Sequence, residues 1–177
     1  IVRQADEQAI NNGFTLKKLF PFLKSVRTFT DVPIGLLTYA NLVYHYGIEK
    51  FYSDSKRAGA SSILIADLSL EESKPFLKAS RKYHIPQIFI VSEKTDTARL
   101  KKILKVARGY IYVVARSDVT GIKKDISKYL PRLIKKLKTL TRLPLIIGFG
   151  ISEKSQIQKL QKIGSDGYII GSALVNK

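Results

Sequence analysis

Short apolar runs alternate along the chain with longer segments in which apolar residues recur at helical spacing. The short runs predict strands at residues 34–37, 62–66, 87–91, 110–115, 145–147 and 168–170. These runs are apolar throughout instead of alternating, which is typical of parallel strands that are buried on both faces and joined by helices. The pattern therefore predicts an α/β fold with parallel strands.

The segments between the strands predict helices at residues 3–12, 16–29, 48–58, 71–83, 97–107, 122–140 and 153–163. Pro21 and Pro131 lie inside two of these segments. A proline in a helix interior costs about 3 kcal/mol, so we expect a kink or a new helix start at each. An open doubly wound sheet accommodates six strands, and so does an eight-stranded barrel of which this sequence contains only part.

Two of the predicted strands end in glycine, at Gly148 and Gly171, and each is followed by a turn of small residues. Backbone N–H groups bind phosphate best where no side chain blocks the approach and a helix N-terminus adds positive charge. Two such turns on neighbouring parallel strands would form one anion site, as after the last two strands of a (β/α)8 barrel. The alternative is that these glycines only close tight turns.

The composition fits one soluble globular domain: 177 residues, 45% of them hydrophobic and 25% charged. No apolar run approaches the roughly 18 residues of a membrane span, and no signal-peptide pattern is present. Cysteine is absent, which excludes disulfides and thiolate-bound metals. We expect a cytoplasmic protein with no membrane partner. Because the chain begins at Ile1 and has no methionine, we also expect sequence upstream.

The chain is strongly basic, with a formal net charge of +17. Such a charge attracts nucleic acid or acidic partners. Many of the lysines, however, fall between the apolar positions of predicted helices, as on a solvated helix face. We therefore expect no nucleic-acid partner, and we expect the charge to help collect a phosphorylated substrate.

Polar residues at strand ends are the candidates for chemistry. Asp67 follows the second predicted strand, where it is either an acid/base or orienting group or a cap of the following helix. Residues 116–121 form either a loop that closes over substrate or an ordinary connection. His45 and His84 have no ligand partner at a suitable spacing, so the sequence predicts no metal site.

Six segments, in order and at matching spacing, resemble the tryptophan synthase α subunit family. They are residues 35–43, 64–73, 109–112, 116–121, 148–152 and 171–175. The resemblance implies a (β/α)8 TIM barrel, here a single domain over residues 1–177 that lacks the first two strands and the last helix. It implies retro-aldol cleavage of indole-3-glycerol phosphate to indole and glyceraldehyde 3-phosphate. It also implies an α2β2 assembly with a β subunit that holds pyridoxal phosphate, and no cofactor in this chain.

The resemblance also assigns roles to single residues. Gly121, Gly150, Gly171 and Ser172 would bind the substrate phosphate, and Leu37, Tyr39, Leu64 and Phe149 would line the indole pocket. Tyr112 would lie near the catalytic carboxylates, Thr120 would steady the catalytic aspartate, and Asn41 would lie near the β-subunit face. The catalytic glutamate and aspartate themselves are expected upstream of Ile1.

Two residues depart from the family pattern, and three other functions stay open. Asp118 stands where the closing loop usually has glycine, and Ser69 stands where proline is common. The alternatives are another phosphate-binding barrel enzyme, a non-catalytic α-type chain that only activates a β partner, and a basic nucleic-acid-binding domain. Strongly salt-dependent binding to unrelated DNA would favour the last.

Overall fold

The computed structural model describes residues 2–115, 129–148, 150–151 and 153–175. The chain divides into two compact units, Asp6–Ile88 (the first unit) and Phe89–Lys177 with Ile1–Ala5 (the second unit). Within the described residues, the strands are β1 (Ile34–Thr38), β2 (Ala60–Ile65), β3 (Gln87–Val91), β4 (Ile111–Val114), β5 (Leu145–Gly148) and β6 (Gly167–Ile169). The helices are α1 (Val2–Asn11), α2 (Leu16–Arg27), α3 (Ala40–Tyr46), α4 (Ile48–Arg57), α5 (Lys74–Tyr83), α6 (Thr97–Val106), α7 (Leu130–Leu140), α8 (Lys154–Lys162) and α9 (Ser172–Val175).

The first unit is built on parallel pairing between β1 and β2, which continues from β2 to the beginning of β3. Helices α4 and α5 pack against each other. Val43, Phe51, Ile63 and Phe76 are fully buried in its core. Burying each such side chain contributes about 1.5–3 kcal/mol, so this cluster holds the helices against the strands.

The second unit continues the same pattern. The end of β3 pairs with β4, β4 with β5, and β5 with β6, and all of these pairs are parallel. Helix α7 shows why the sequence folds this way: Leu130, Leu133, Ile134 and Leu137 recur at helical spacing, and all four are buried. Each strand is thus the neighbour of the next one along the chain, with helices between them, as in a (β/α)8 barrel.

The predicted strands are confirmed to within two residues at each end, but three helical predictions need correction. Helix α2 runs through Pro21 without a new start, and the buried residues Phe20 and Leu23 anchor it on both sides. The new helix start expected at Pro131 is confirmed: α7 begins at Leu130, and Pro131 lies in its first turn, where a missing N–H group costs nothing. The rest of the segment predicted there, residues 122–128, lies outside the described residues.

The other two corrections concern the segments that follow β1 and β2. Helix α3 was not predicted, because its seven residues span only two turns. Helix α5 begins at Lys74 and not at residue 71, since Ser69 and Glu72 form a turn of their own. The Ser69 hydroxyl donates to Glu72 Oε2 at 2.6 Å and accepts from the Glu72 N–H at 3.2 Å. None of the helices among the described residues is both long and apolar enough to cross a bilayer.

Candidate functional site

The two glycine-bearing turns leave neighbouring strands at the same level. Strands β5 and β6 are parallel, and Gly148 is in register with Ile169. Gly150 and Gly171 each lie two residues beyond this registered pair, and both are exposed. The structure therefore brings together the two turns that the sequence predicts as one anion site. Their role in binding phosphate stays a prediction.

The turn after β6 is open around Gly171. Among the described residues, no atom outside the adjoining residues lies within 4 Å of the position that a Cβ on Gly171 would occupy. The Gly171 carbonyl accepts hydrogen bonds from the N–H groups of Leu174 and Val175, at 2.8 and 3.2 Å, at the beginning of α9. Ser172 is the first residue of that short helix. This turn has the free space that an anion needs.

The turn after β5 is held in shape by a residue that the sequence analysis missed. Gly150 has φ +76°, a conformation that glycine adopts without strain. Gln156 is 6% exposed and donates through Nε2 to the Gly150 carbonyl at 3.4 Å. The Gln156 Oε1 accepts from the Glu153 N–H at 3.0 Å, as part of a capping box at the beginning of α8. The signal in the sequence was Gln156, which stands three residues after Glu153, at the spacing of a capping box.

Tyr112 on β4 lies against Gly148 on β5. A Cβ on Gly148 would lie 2.5 Å from Tyr112 Cζ and closer still to the hydroxyl, so glycine here makes room for the phenol. Burial raises the pKa of the Tyr112 phenol, and the neighbouring Tyr110 raises this pKa further. The hydroxyl is therefore a neutral hydrogen-bond donor at physiological pH. The sequence indicated glycine at position 148 for turn closure, and the structure gives a second reason.

In the first unit, three of the residues assigned to the indole pocket lie at or just beyond the carboxyl ends of β1 and β2. Leu37 on β1 is in register with Leu64 on β2, so their side chains share a face of the sheet. Leu64 is 3% exposed, whereas Leu37 is 62% exposed and Tyr39, at the beginning of α3, is 51% exposed. Apolar and aromatic side chains of this kind suit an aromatic ligand, and their assignment stays a prediction.

Asp67 caps a helix, but not the helix that follows its own strand. Its Oδ1 accepts a hydrogen bond from the Ala40 N–H at 2.8 Å, at the beginning of α3. The Oδ1 of the exposed Asn41 accepts from the Leu42 N–H at 2.8 Å. The structure thus shows Asp67 as a cap of the earlier helix α3, so the predicted cap of the following helix is wrong, and an acid/base or orienting role stays a prediction.

Three predicted site residues, Thr120, Gly121 and Phe149, lie outside the described residues, as does the whole segment 116–121 with Asp118. Among the described residues, no group of three or more His, Cys, Asp or Glu side chains is arranged to hold a metal ion.

A cavity of about 530 Å³ lies elsewhere in the second unit, beside the loop after β3. Its described lining residues are Glu93, Lys94, Thr95, Tyr129, Arg132, Leu133 and Lys136. None of these is a predicted site residue, so this cavity gives no support to the anion site at the glycine turns.

Comparison with protein families gives one match over the whole chain. The family described as "Tryptophan synthase alpha chain" matches residues 1–177. The tryptophan synthase alpha chain of Methanothermobacter thermautotrophicus is 42% identical over 175 residues, which cover 99% of this chain and 65% of that protein. That of Helicobacter pylori strain J99 is 43% identical over 162 residues, which cover 91% of this chain and 62% of that protein. The chain thus spans just under two thirds of the length of these curated relatives.

Solved structures give the same result. A structure of the tryptophan synthase a2b2 complex from Pyrococcus furiosus contains a chain that matches with a TM-score of 0.90 at 32% identity, over 99% of this chain and 71% of that one. The tryptophan synthase alpha subunit of the same organism matches with a TM-score of 0.89 at 31% identity. These neighbours and the order of the strands confirm the predicted (β/α)8 fold class.

Proposed function

Because this chain belongs to the tryptophan synthase alpha chain family, we propose that the protein containing it cleaves indole-3-glycerol phosphate into indole and glyceraldehyde 3-phosphate. The protein is then a carbon–carbon lyase of tryptophan biosynthesis, and we place it in the cytoplasm. The observation that supports this substrate most directly is the pair of glycine turns after β5 and β6, in register and exposed. A phosphate ester has the terminal anion that such turns accept.

In the second unit, we assign Gly150, Gly171 and the backbone of Ser172 to the substrate phosphate. Gln156 supports this assignment, because it donates to the carbonyl of Gly150, a residue with no side chain of its own. By the resemblance, Gly121 joins this group and Thr120 closes the loop over it. The phosphate then serves as the anchor that orients the rest of the substrate.

In the first unit, we assign Leu37, Tyr39 and Leu64 to contacts with the indole ring, and by the resemblance Phe149 as well. Indole is planar and apolar except for its N–H group, which suits two leucines on one face of a sheet and an adjacent tyrosine. Tyr112, whose phenol pKa is raised further by burial, is assigned to the neighbourhood of the reacting carboxylates.

The reaction breaks the bond between the indole ring carbon and the glycerol chain. It needs an acid that protonates the ring carbon from which the chain departs, and a base that takes the proton of the glycerol hydroxyl as this becomes the aldehyde carbonyl. A second base holds the indole N–H proton during the step and returns it to the product. By the resemblance, a glutamate and an aspartate upstream of Ile1 have these roles. The residues described here then bind and orient the substrate, and they do not transfer its protons.

We further propose that the protein works with a β-type subunit in an α2β2 assembly. The Pyrococcus furiosus neighbour is a chain of an a2b2 complex in which the partners activate each other. In this proposal the partner holds pyridoxal phosphate and consumes indole, and this chain holds no cofactor. The exposed Asn41, at the beginning of α3, is assigned to the partner face.

The test is an assay of indole release from indole-3-glycerol phosphate by the product of the complete reading frame, with and without a β subunit. We expect slow release alone and faster release with the partner. Binding and activation of the β subunit without any indole release would support the non-catalytic alternative. Cleavage of a different phosphate ester would identify another barrel enzyme, and tight DNA binding that falls steeply with salt would favour a nucleic-acid-binding domain.

A further inference from the structure

Helix α3 has no cap from its own N-cap residue. That residue, Tyr39, has an extended backbone, and its side chain makes no capping hydrogen bond. A tyrosine side chain is too long and rigid to fold back on the next turn, unlike serine or aspartate. The cap comes instead from Asp67, 27 residues later, which accepts from the Ala40 N–H at 2.8 Å.

This bond holds one particular peptide unit from both sides. The N–H of Ala40 donates to Asp67, and the carbonyl of the same peptide, which belongs to Tyr39, accepts from the Val43 N–H at 3.4 Å. The plane of the peptide that follows Tyr39 is therefore fixed. Because the acceptor is a carboxylate at the positive end of a helix, the bond is of the stronger, charge-assisted type.

Just before Tyr39, the Thr38 carbonyl accepts from the Ala66 N–H at 2.9 Å, and other anchors act further along α3. Val43 is fully buried, and the ring of Tyr44 packs edge-on against Phe76 with centroids 5.2 Å apart. Gly47, with φ +91°, ends the helix. These contacts hold the middle and the end of α3, whereas the Asp67 carboxylate acts at its beginning, next to Tyr39.

We propose that Asp67 is a positioning residue for the substrate: through the Ala40 N–H it fixes the direction in which Tyr39 presents its ring to the indole group. The inference rests on the proposed function, because it needs the assignment of Tyr39 to the indole. Asp67 does not touch the substrate and transfers no proton. Its hydrogen bond links the segment after β2 to the segment after β1. A residue that follows β2 thus sets the backbone geometry of the residues that follow β1.

The experiment compares three variants in the protein from the complete reading frame, together with its β subunit. Asp67→Ala removes the acceptor, and Asp67→Asn keeps an oxygen in its place. The matched control is Asp96→Ala, since Asp96 caps α6 by accepting from the Arg99 N–H at 2.8 Å and is exposed in the second unit. Both alanine variants lose one exposed helix cap, but only the first lies next to Tyr39.

We expect Asp67→Ala to raise the KM for indole-3-glycerol phosphate about tenfold, with a smaller change in kcat, because a misplaced contact group weakens substrate binding. Asp67→Asn should restore KM to within about twofold, because the amide oxygen still accepts the Ala40 N–H. Asp96→Ala should lower the melting temperature by a similar amount and leave KM unchanged.

A fourth variant tests the same bond from its donor and serves if Asp67→Ala does not fold. Ala40→Pro removes the N–H group, and proline is well tolerated at the first helical position after an extended residue such as Tyr39. It should raise KM about as much as Asp67→Ala, and the double variant should show no further increase.

The proposal is overturned if Asp67→Ala or, should that variant not fold, Ala40→Pro leaves KM at the Asp96→Ala value while the wild-type protein releases indole. It is also overturned if Asp67→Asn is as impaired as Asp67→Ala. If the wild-type protein releases no indole at all, the proposed function fails first, so the two failures are distinguishable.

Discussion

At the amino ends of β5 and β6, a side chain ties the two strands together, whereas at their carboxyl ends glycines leave space. Asp166, just before β6, accepts from the Leu145 N–H at 2.8 Å and from Lys138 Nζ at 2.6 Å. At the other end, Gly150 and Gly171 are exposed, and no further described residue lies within 4 Å of the Cβ position of Gly171. In barrel enzymes the amino ends of the strands generally contribute stability and the carboxyl ends carry the site, so the difference agrees with the proposed role of the glycine turns.

Gly148 is an exception to this comparison: it lies at the carboxyl end of β5, but the Tyr112 ring occupies the space beside it. Gly148→Val would force the Tyr112 ring from its position. We expect a loss of about 2–3 kcal/mol in the free energy of unfolding, measured by urea denaturation, because overpacking displaces both the ring and the backbone.

Tyr112→Ala provides the control for this prediction. The double variant should be more stable than the sum of the two single losses predicts, by at least about 1 kcal/mol, because the shortened side chain leaves room for valine. Strict additivity would mean that Tyr112 does not limit the size of residue 148.

Removing the tie at the amino ends should have the next largest effect on stability. Asp166→Ala leaves the N–H of Leu145, a fully buried residue, without its acceptor. We expect a loss of about 2 kcal/mol in the free energy of unfolding. Lys138→Gln removes only an exposed ion pair and should cost less than about 1 kcal/mol. Equal losses in both variants would place the stabilisation in the ion pair instead.

The same tie predicts a dependence on pH. The Lys138 ammonium and the Leu145 N–H hold the pKa of Asp166 below its ordinary value. Because the pKa is lower in the folded state, the stabilisation is present above the unfolded-state value of about 3.9 and is lost as pH falls through the folded-state value. In denaturation series at pH 7, 4 and 3, the free energy of unfolding should fall less with decreasing pH for Asp166→Asn than for the wild type. Parallel curves would contradict this assignment.

At the carboxyl end, Gly150→Ala should destabilise the chain by about 1 kcal/mol. The cause is the positive φ of residue 150, at which a Cβ is strained. The comparison of urea midpoints with Gly171→Ala, whose φ is not positive and whose Cβ position is free, isolates this strain. Similar losses for the two variants would mean that backbone conformation does not distinguish the turns.

Much of the fold was predictable because buried parallel strands leave apolar runs in the sequence, as at Leu145–Gly148. Helix α3 escaped prediction because it spans only two turns and because its cap, Asp67, is distant in sequence, so the local pattern showed no helix start. The two glycine turns were predictable from residue type alone. The dependence of Tyr112 on Gly148 was not, since it depends on the register between β4 and β5.

The most direct test of the phosphate assignment uses Gly171→Val in the protein from the complete reading frame. Isothermal titration would compare a non-cleavable indolyl alkyl phosphate with the same compound lacking its phosphate. The wild type should prefer the phosphate compound, and the variant should lose that preference by about tenfold or more while its free energy of unfolding changes by less than about 0.5 kcal/mol. Unchanged affinity of the stable variant for the phosphate compound would contradict the assignment of these turns to the substrate.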